Sequence, residues 1–160
     1  MNANRPTLNQ FIELRLGHTS TPGRLMKEML IRAFGAGSFD RFWHYWNPVY
    51  GYALYYWCYQ RLCRYLPRWM CVLLTFAASG FVLHDLPFGW WVRLIRYFQT
   101  GHFPIPFVAL WFLLMGGLTL LSRGMRLDFS NSPFAVRACI NTGCILLALF
   151  VTLWIAELAH

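Results

Sequence analysis

Two polar side chains stand where an oily run ends. In the stretch GFVLHDLPFGWW, residues 80–91, His84 and Asp85 follow a long apolar segment. An ionisable group in such a segment is a functional candidate by default, because hydrocarbon surroundings make it expensive. Gly80 and Ala77 lie one and two helical turns before His84, and Ala78 and Ser79 are also small. Small residues beside a polar one either let a second helix approach or leave room for a substrate. The alternative is a histidine satisfied by a neighbouring carbonyl near the membrane interface. Asp85 points about 100° away from His84 on a helix, so it is not automatically its partner. It is expected to accept from Arg93 or Arg96, or to cap a following helix that Pro87 starts.

A second constellation is FWHYWNPVYGY, residues 42–52, in which Asn47 follows two tryptophans and precedes Pro48. Taken alone, Asn-Pro is a turn signal. His44 stands three residues before Asn47 and shares its face if this part is helical. The other histidines carry less: His18 lies in a polar loop, His102 in a loop at the membrane boundary, and His160 ends the sequence. Haem ligation by His84 would need a second histidine inside a predicted span, and there is none. The cysteines, Cys58, Cys63, Cys71, Cys139 and Cys144, contain no CxxC pair and read as small core residues rather than a disulfide or zinc site. Glu157 is expected to snorkel or cap at the end of a span, and Asn141 and Thr142 to hydrogen-bond to another helix. No P-loop, dinucleotide glycine motif or HExxH occurs, so no bound cofactor and no metal are expected.

The elements that must position these groups are set by composition. Of 160 residues, 58% are hydrophobic and 12% charged, about half the charged share of a soluble domain. Mean hydropathy is +0.40. Aromatic residues make up 19%, with eight Trp and eight Tyr, ring types that favour the bilayer interface. The net charge of +8 flanks apolar runs, which fits anionic lipid headgroups better than nucleic acid. The fold class expected is an all-α integral membrane protein.

Residues 1–23 are polar, with Pro6, Gly17, Pro22 and Gly23, and read as a tail or loop. Residues 23–35 place Leu25, Met26, Met29, Leu30, Ala33 and Phe34 at helical spacing among basic residues. They read as a cationic helix lying on a membrane surface or packed on a partner protein. Together, residues 1–37 form one region and residues 38–160 the membrane domain. Residues 38–70 are densely aromatic and carry Arg61, Arg64 and Arg68. Interfacial or partly re-entrant helices, broken near Pro48 and Pro67, are expected there. Three spans follow, at 69–86, 106–121 and 135–158, against the ~20 apolar residues a bilayer requires. Residues 88–98, with Arg93 and Arg96, read as an interfacial amphipathic helix or the end of a re-entrant hairpin. If the three segments span, every Lys and Arg except Arg93 and Arg96 falls on one side. That asymmetry predicts a cytoplasmic N-terminus and an exported C-terminus, in a bacterial cytoplasmic membrane. The first 35 residues hold no long apolar run, so no cleavable signal peptide is expected.

The two constellations together resemble the membrane-bound O-acyltransferases. That family carries an aromatic F-W-x-x-W-[HN] motif and, a few dozen residues later, an apolar helix ending in histidine. Here the first reads Phe42-Trp43-His44-Tyr45-Trp46-Asn47, followed by Tyr50, Tyr52 and Tyr59-Gln60-Arg61-Leu62. The second reads Thr75-Phe76-Ala77-Ala78-Ser79-Gly80-Phe81-Val82-Leu83-His84. Asp85 after the histidine is similar to the sterol- and diacylglycerol-acylating branch. The likeness covers residues 38–87; the later spans agree in hydrophobicity alone.

The resemblance implies transfer of an acyl group from a thioester, acyl-CoA or an acyl carrier protein, to a hydroxyl. It makes His84 the general base that takes the hydroxyl proton. Asn47 would orient a substrate or help stabilise the developing oxyanion; an amide is no base at neutral pH. His44, Asp85, Trp46 and Ser79 are secondary candidates. The chain resembles the catalytic C-terminal half of the family, so a partner subunit or a second copy, with membrane lipids, is expected to complete the substrate chamber. The alternative function is a non-catalytic membrane subunit, binding a partner through its aromatic and small-residue surfaces, Ala77–Gly80 and Gly116-Gly117 among them.

Overall fold

The computed structural model describes residues 5–17, 21–101 and 106–158. His18, His102 and His160 lie outside these residues. Within them the chain is helical, with no strand.

The first surprise is at the start. Residues that read as tail or loop form helix α1 (Leu8–Leu16), opened by a reciprocal cap between Thr7 and Gln10. Phe11, Ile12 and Leu16 are buried. The segment before it is pinned too: Tyr52 Oη donates to the Pro6 carbonyl (2.9 Å), and the Arg5 guanidinium lies over the Tyr52 and Tyr56 rings. Apolar burial on one helical face outweighs the turn signals of Pro6 and Gly17. Helix α2 (Pro22–Phe34) starts with proline in its first turn, where the missing N–H costs nothing. Its buried Met29 and Ala33 face the rest of the chain.

Helix α3 (Phe39–Tyr45) is capped by Ser38 Oγ, which accepts from the Arg41 N–H at 3.2 Å. Helix α4 (Pro48–Ala53) follows and continues as a π-helical turn, Leu54–Tyr59, into a short α5 (Gln60–Leu62). The breaks fall at Pro48 and Pro67, as the sequence predicts. Helix α6 (Arg68–Ala78) then widens into a π-helix (Ser79–Gly89) and runs on as α7 (Trp90–Thr100). Helices α8 (Phe107–Gly124) and α9 (Phe134–Leu158) complete the fold.

Three stretches are long and apolar enough to cross a membrane: Arg68–Pro87, Phe107–Gly124 and Phe134–Leu158. At 1.5 Å per residue, the 25-residue α9 is about 38 Å long, more than the ~30 Å thickness of the hydrocarbon core. Only 17–22% of each apolar window is buried inside the chain. Leu121, Leu146, Phe150, Leu153 and Trp154 are exposed, a larger apolar surface than a soluble monomer leaves in water.

Helix α8 packs between α6 and α9, and the π-helix lies along the start of α8. A Cβ on Gly80 would sit 2.7 Å from the Ala109 Cα and the Val108 carbonyl oxygen, so glycine is what permits this approach. Gly116 likewise lies against Phe76. The small residues expected to serve a partner therefore hold helices of this chain together at those two positions, while Gly117 has open space. The α2–α3 pair docks on α8 and α9 through a core of Ala33, Ala36, Phe39, Phe42, Met115 and Ala148. Asn141, 1% exposed, donates to the Phe34 and Ala36 carbonyls (3.1 and 2.9 Å) and so finishes the C-terminal end of α2.

Candidate functional site

The aromatic motif is first a wall. Phe42 is fully buried, stacked on Phe39 (5.7 Å between centroids) and Trp46 (5.3 Å). Trp43 meets Phe76 of α6 edge-on at 4.8 Å, a favoured aromatic geometry. These contacts fix α3 against α6 and hold Trp43 and Trp46 at the boundary of three adjoining cavities.

Asn47 reaches the middle cavity from a break between helices. Its φ is +39°, a left-handed conformation that asparagine tolerates better than most residues. Its Oδ1 accepts from the Tyr50 N–H at 3.2 Å and caps α4, with Pro48 in the first turn. Among the described residues the Nδ2 group makes no hydrogen bond, so the amide retains its donor.

His84 reaches the same cavity from an unbroken helix. Pro87 stands inside that helix. A proline has no N–H to give, and in a regular α-helix its ring would strike the carbonyl four residues back, here that of Leu83. The wider π-turn, bonding to the fifth residue back, accommodates it. His84 Nδ1 lies 3.0 Å from the Ser79 carbonyl oxygen, five residues earlier. A carbonyl only accepts, so Nδ1 carries the proton, and in the neutral ring Nε2 is left with a lone pair. The ring packs on Phe112 of α8 at 4.7 Å.

Asp85 does something else. It is 3% exposed, and its Oδ2 accepts from the Ala109 N–H at 2.8 Å. The carboxylate thus caps α8, where helix N–H groups lack partners, rather than a helix begun by Pro87. Arg93 donates to the Asp85 backbone carbonyl (3.4 Å), not to its carboxylate; the side chain of Arg96 lies outside those described. Asp85 therefore ties the turn that carries His84 to the helix that carries Phe112.

The middle cavity, about 160 Å³, is lined by His84, Asn47, Trp46 and Ser79 together with Trp43, Tyr50, Thr75, Phe76 and Phe112. Four of the residues singled out from sequence meet there. On one side lies a 380 Å³ cavity whose polar rim includes Arg15, Asp40, Arg41, His44 and Arg123. Its ion pair, Arg123 Nη2 to Asp40 Oδ1, is 2.6 Å long. On the other side lies an apolar cavity of 550 Å³ between α3, α8 and α9, lined by Phe42, Val108, Trp111, Met115 and Ile145, with His84 again in its wall. Trp43 and Trp46 border all three. His44 belongs to the cationic rim rather than to the middle cavity. Loss of water around its ring, and then the charge of Arg15, lower its pKa, with Asp40 opposing.

One residue in this wall belongs to the aromatic motif without a role of its own in the sequence reading. Trp43 Nε1 is buried and has no hydrogen-bond partner, a cost for a strong donor. Its place in the motif is the only sequence signal for it. Among the described residues no group of three or more His, Cys, Asp or Glu side chains is arranged to hold a metal ion.

No family model, curated protein or solved structure matches this chain. Its class rests on its own fold: a helical protein with three helices able to span a bilayer.

Proposed function

We propose that this chain is an acyltransferase resembling the membrane-bound O-acyltransferases, working within a membrane. One observation carries the reading. His84 and Asn47, 37 positions apart (47 to 84), line one cavity that adjoins a cationic cavity on one side and an apolar one on the other. A thioester with an anionic head and an oily tail has the same three parts in the same order.

In this reading the acyl tail occupies the apolar cavity and the head faces Arg15, Arg41 and Arg123. The acceptor hydroxyl lies against His84 Nε2. That nitrogen takes the hydroxyl proton as the oxygen attacks the thioester carbonyl carbon. The carbonyl oxygen gains negative charge and meets the Asn47 Nδ2 donor. Collapse forms the ester and releases the thiolate, which recovers the proton from the imidazolium. The Ser79 carbonyl holds Nδ1–H throughout and steadies the ring.

The three apolar stretches and the distribution of basic residues support a cytoplasmic N-terminus and an exported C-terminus. Lipid, and a partner subunit or second copy, would cover the exposed span faces. The low burial of those spans also favours a second reading, a non-catalytic membrane subunit. Transfer of a labelled acyl group from acyl-CoA by the purified full chain, and its loss in His84→Ala, supports catalysis. A defined complex that forms equally well with His84→Ala while no acyl group moves supports the subunit.

A further inference from the structure

A fourth cavity, of 230 Å³, lies away from His84, between the end of α2, the turn at Gly35–Ala36–Gly37 and the first turn of α9. Three arginines line it: Arg32, Arg41 and Arg137, with Tyr45 and Ser130. Two of them have counter-charges. Arg32 Nε pairs with Glu28 Oε2 at 3.6 Å. Arg41 Nη1 pairs with Asp128 Oδ2 at 3.2 Å and donates to Ser130 Oγ at 3.0 Å.

Arg137 differs. Among the described residues its guanidinium has no hydrogen-bond or ion-pair partner, and its Nε is buried. Arg137 as a whole is half-buried; a buried donor left unpaired costs free energy, and an anion in the cleft would satisfy it. The charges agree: three guanidiniums against Glu28 and Asp128 leave one positive charge uncompensated. A single phosphate diester, or a monoanionic phosphate, supplies that charge and offers oxygens that match the guanidinium fork. Arg137 stands in the first turn of α9, at the mouth of a stretch able to span a bilayer, where lipid phosphates lie.

We propose that this cleft is a phosphate-binding site, with Arg137 as its anchor and Arg32 and Arg41 as flanking cations. The proposal is independent of the acyl-transfer reading; the two sites share Arg41 alone. The same chemistry is offered by a phospholipid headgroup and by a soluble phosphate.

The test is thermal unfolding of the purified full chain in a neutral detergent at constant ionic strength, titrated with three probes. These are dioctanoyl phosphatidate, dioctanoylglycerol and inorganic phosphate. The proposal predicts a saturable rise in the midpoint with phosphatidate and none with dioctanoylglycerol. A rise with inorganic phosphate as well identifies a site for soluble phosphate; a rise with phosphatidate alone identifies a headgroup site. In either case Arg137→Gln weakens the apparent affinity about tenfold or more, the scale of one charge-assisted hydrogen bond. Arg24→Gln, elsewhere on α2, leaves it unchanged. Arg32→Gln, on the exposed side of the cleft, carries the same test should Arg137→Gln fail to fold. The proposal is overturned by no saturable response to either phosphate probe, by an equal response to dioctanoylglycerol, or by cleft variants that titrate like the wild type.

Discussion

Asn47 and His84 arrive at one cavity by opposite means. Asn47 sits at a break, where the chain leaves α3 and takes a left-handed φ before α4. His84 sits in a helix that never breaks but widens around Pro87. The asparagine has already committed its Oδ1 to capping α4. The histidine uses one ring nitrogen for the Ser79 carbonyl and keeps the other. Asn47 is thus part of the scaffold with one donor to spare, whereas His84 is held by the scaffold without supporting it. Irregular backbone serves both, which accords with the tendency of π-turns and strained residues to gather at functional sites.

The largest expected effect breaks the pair on the His84 side. His84→Ala should lower acyl transfer by ~10²–10⁴-fold, the usual contribution of a general base, while the thermal midpoint moves little. Unchanged transfer would remove the residue from the chemistry. Next comes the contact that seats its turn on α8. Gly80→Val puts atoms against backbone that has no room to retreat, and should cost about 3 kcal/mol, the upper part of the overpacking range, read from denaturant unfolding. On the other side of the comparison, Asn47→Ala should cost about 1 kcal/mol from the lost helix cap, whereas Asn47→Asp should keep the cap and lose the Nδ2 donor. Stability lost in the first and transfer lost in the second would separate the two duties of that side chain.

A subtler variant tests the widened helix itself. Pro87→Ala removes the obstacle to a regular helix. It should raise stability by a fraction of the ~3 kcal/mol that an interior proline costs, and lower transfer because His84 rotates away from the Asn47 cavity. The smallest effect concerns the cationic rim. The pKa of His44 is lowered in the folded chain, chiefly by loss of water and then by Arg15. The unfolded chain therefore binds more protons as pH falls through about 6.5, and stability falls with it. Asp128 is held low by its bonds to Ser130 and by Arg41, so its contribution is present at neutral pH and is lost below the ordinary carboxylate range. His44→Gln should flatten the midpoint between pH 7 and 5.5 and leave the more acidic loss in place.

Much of this architecture can be read from residue order. The three spans show in their apolar runs. The start of α4 at Pro48 and the start of α6 just after Pro67 are punctuated by proline, which cannot sit in a regular helix interior. Helix α1 is hidden because Pro6, Gly17 and Pro22 outweigh its short Phe11–Ile12–Leu16 face, whose burial depends on partners remote in sequence. Pro87 announces an irregularity, yet only packing against α8 decides whether the helix stops or widens. The same holds for Asp85, whose acceptor role depends on Ala109, 24 positions along. Among the candidate residues, His84, Asn47, Trp46 and Ser79 share a cavity, but the unpaired Nε1 of Trp43 and Nε of Arg137 emerge only from three-dimensional burial.

The most direct test of the central claim takes transfer and unfolding from the same samples. Wild type, His84→Ala and Asn47→Ala would be purified as full chains, supplied with labelled acyl-CoA and a lipid hydroxyl acceptor, and melted in parallel. The expected result is a His84→Ala protein that melts like the wild type and transfers ~10²-fold or more slowly, beside an Asn47→Ala protein that melts earlier. A His84→Ala protein that transfers at the wild-type rate would contradict it.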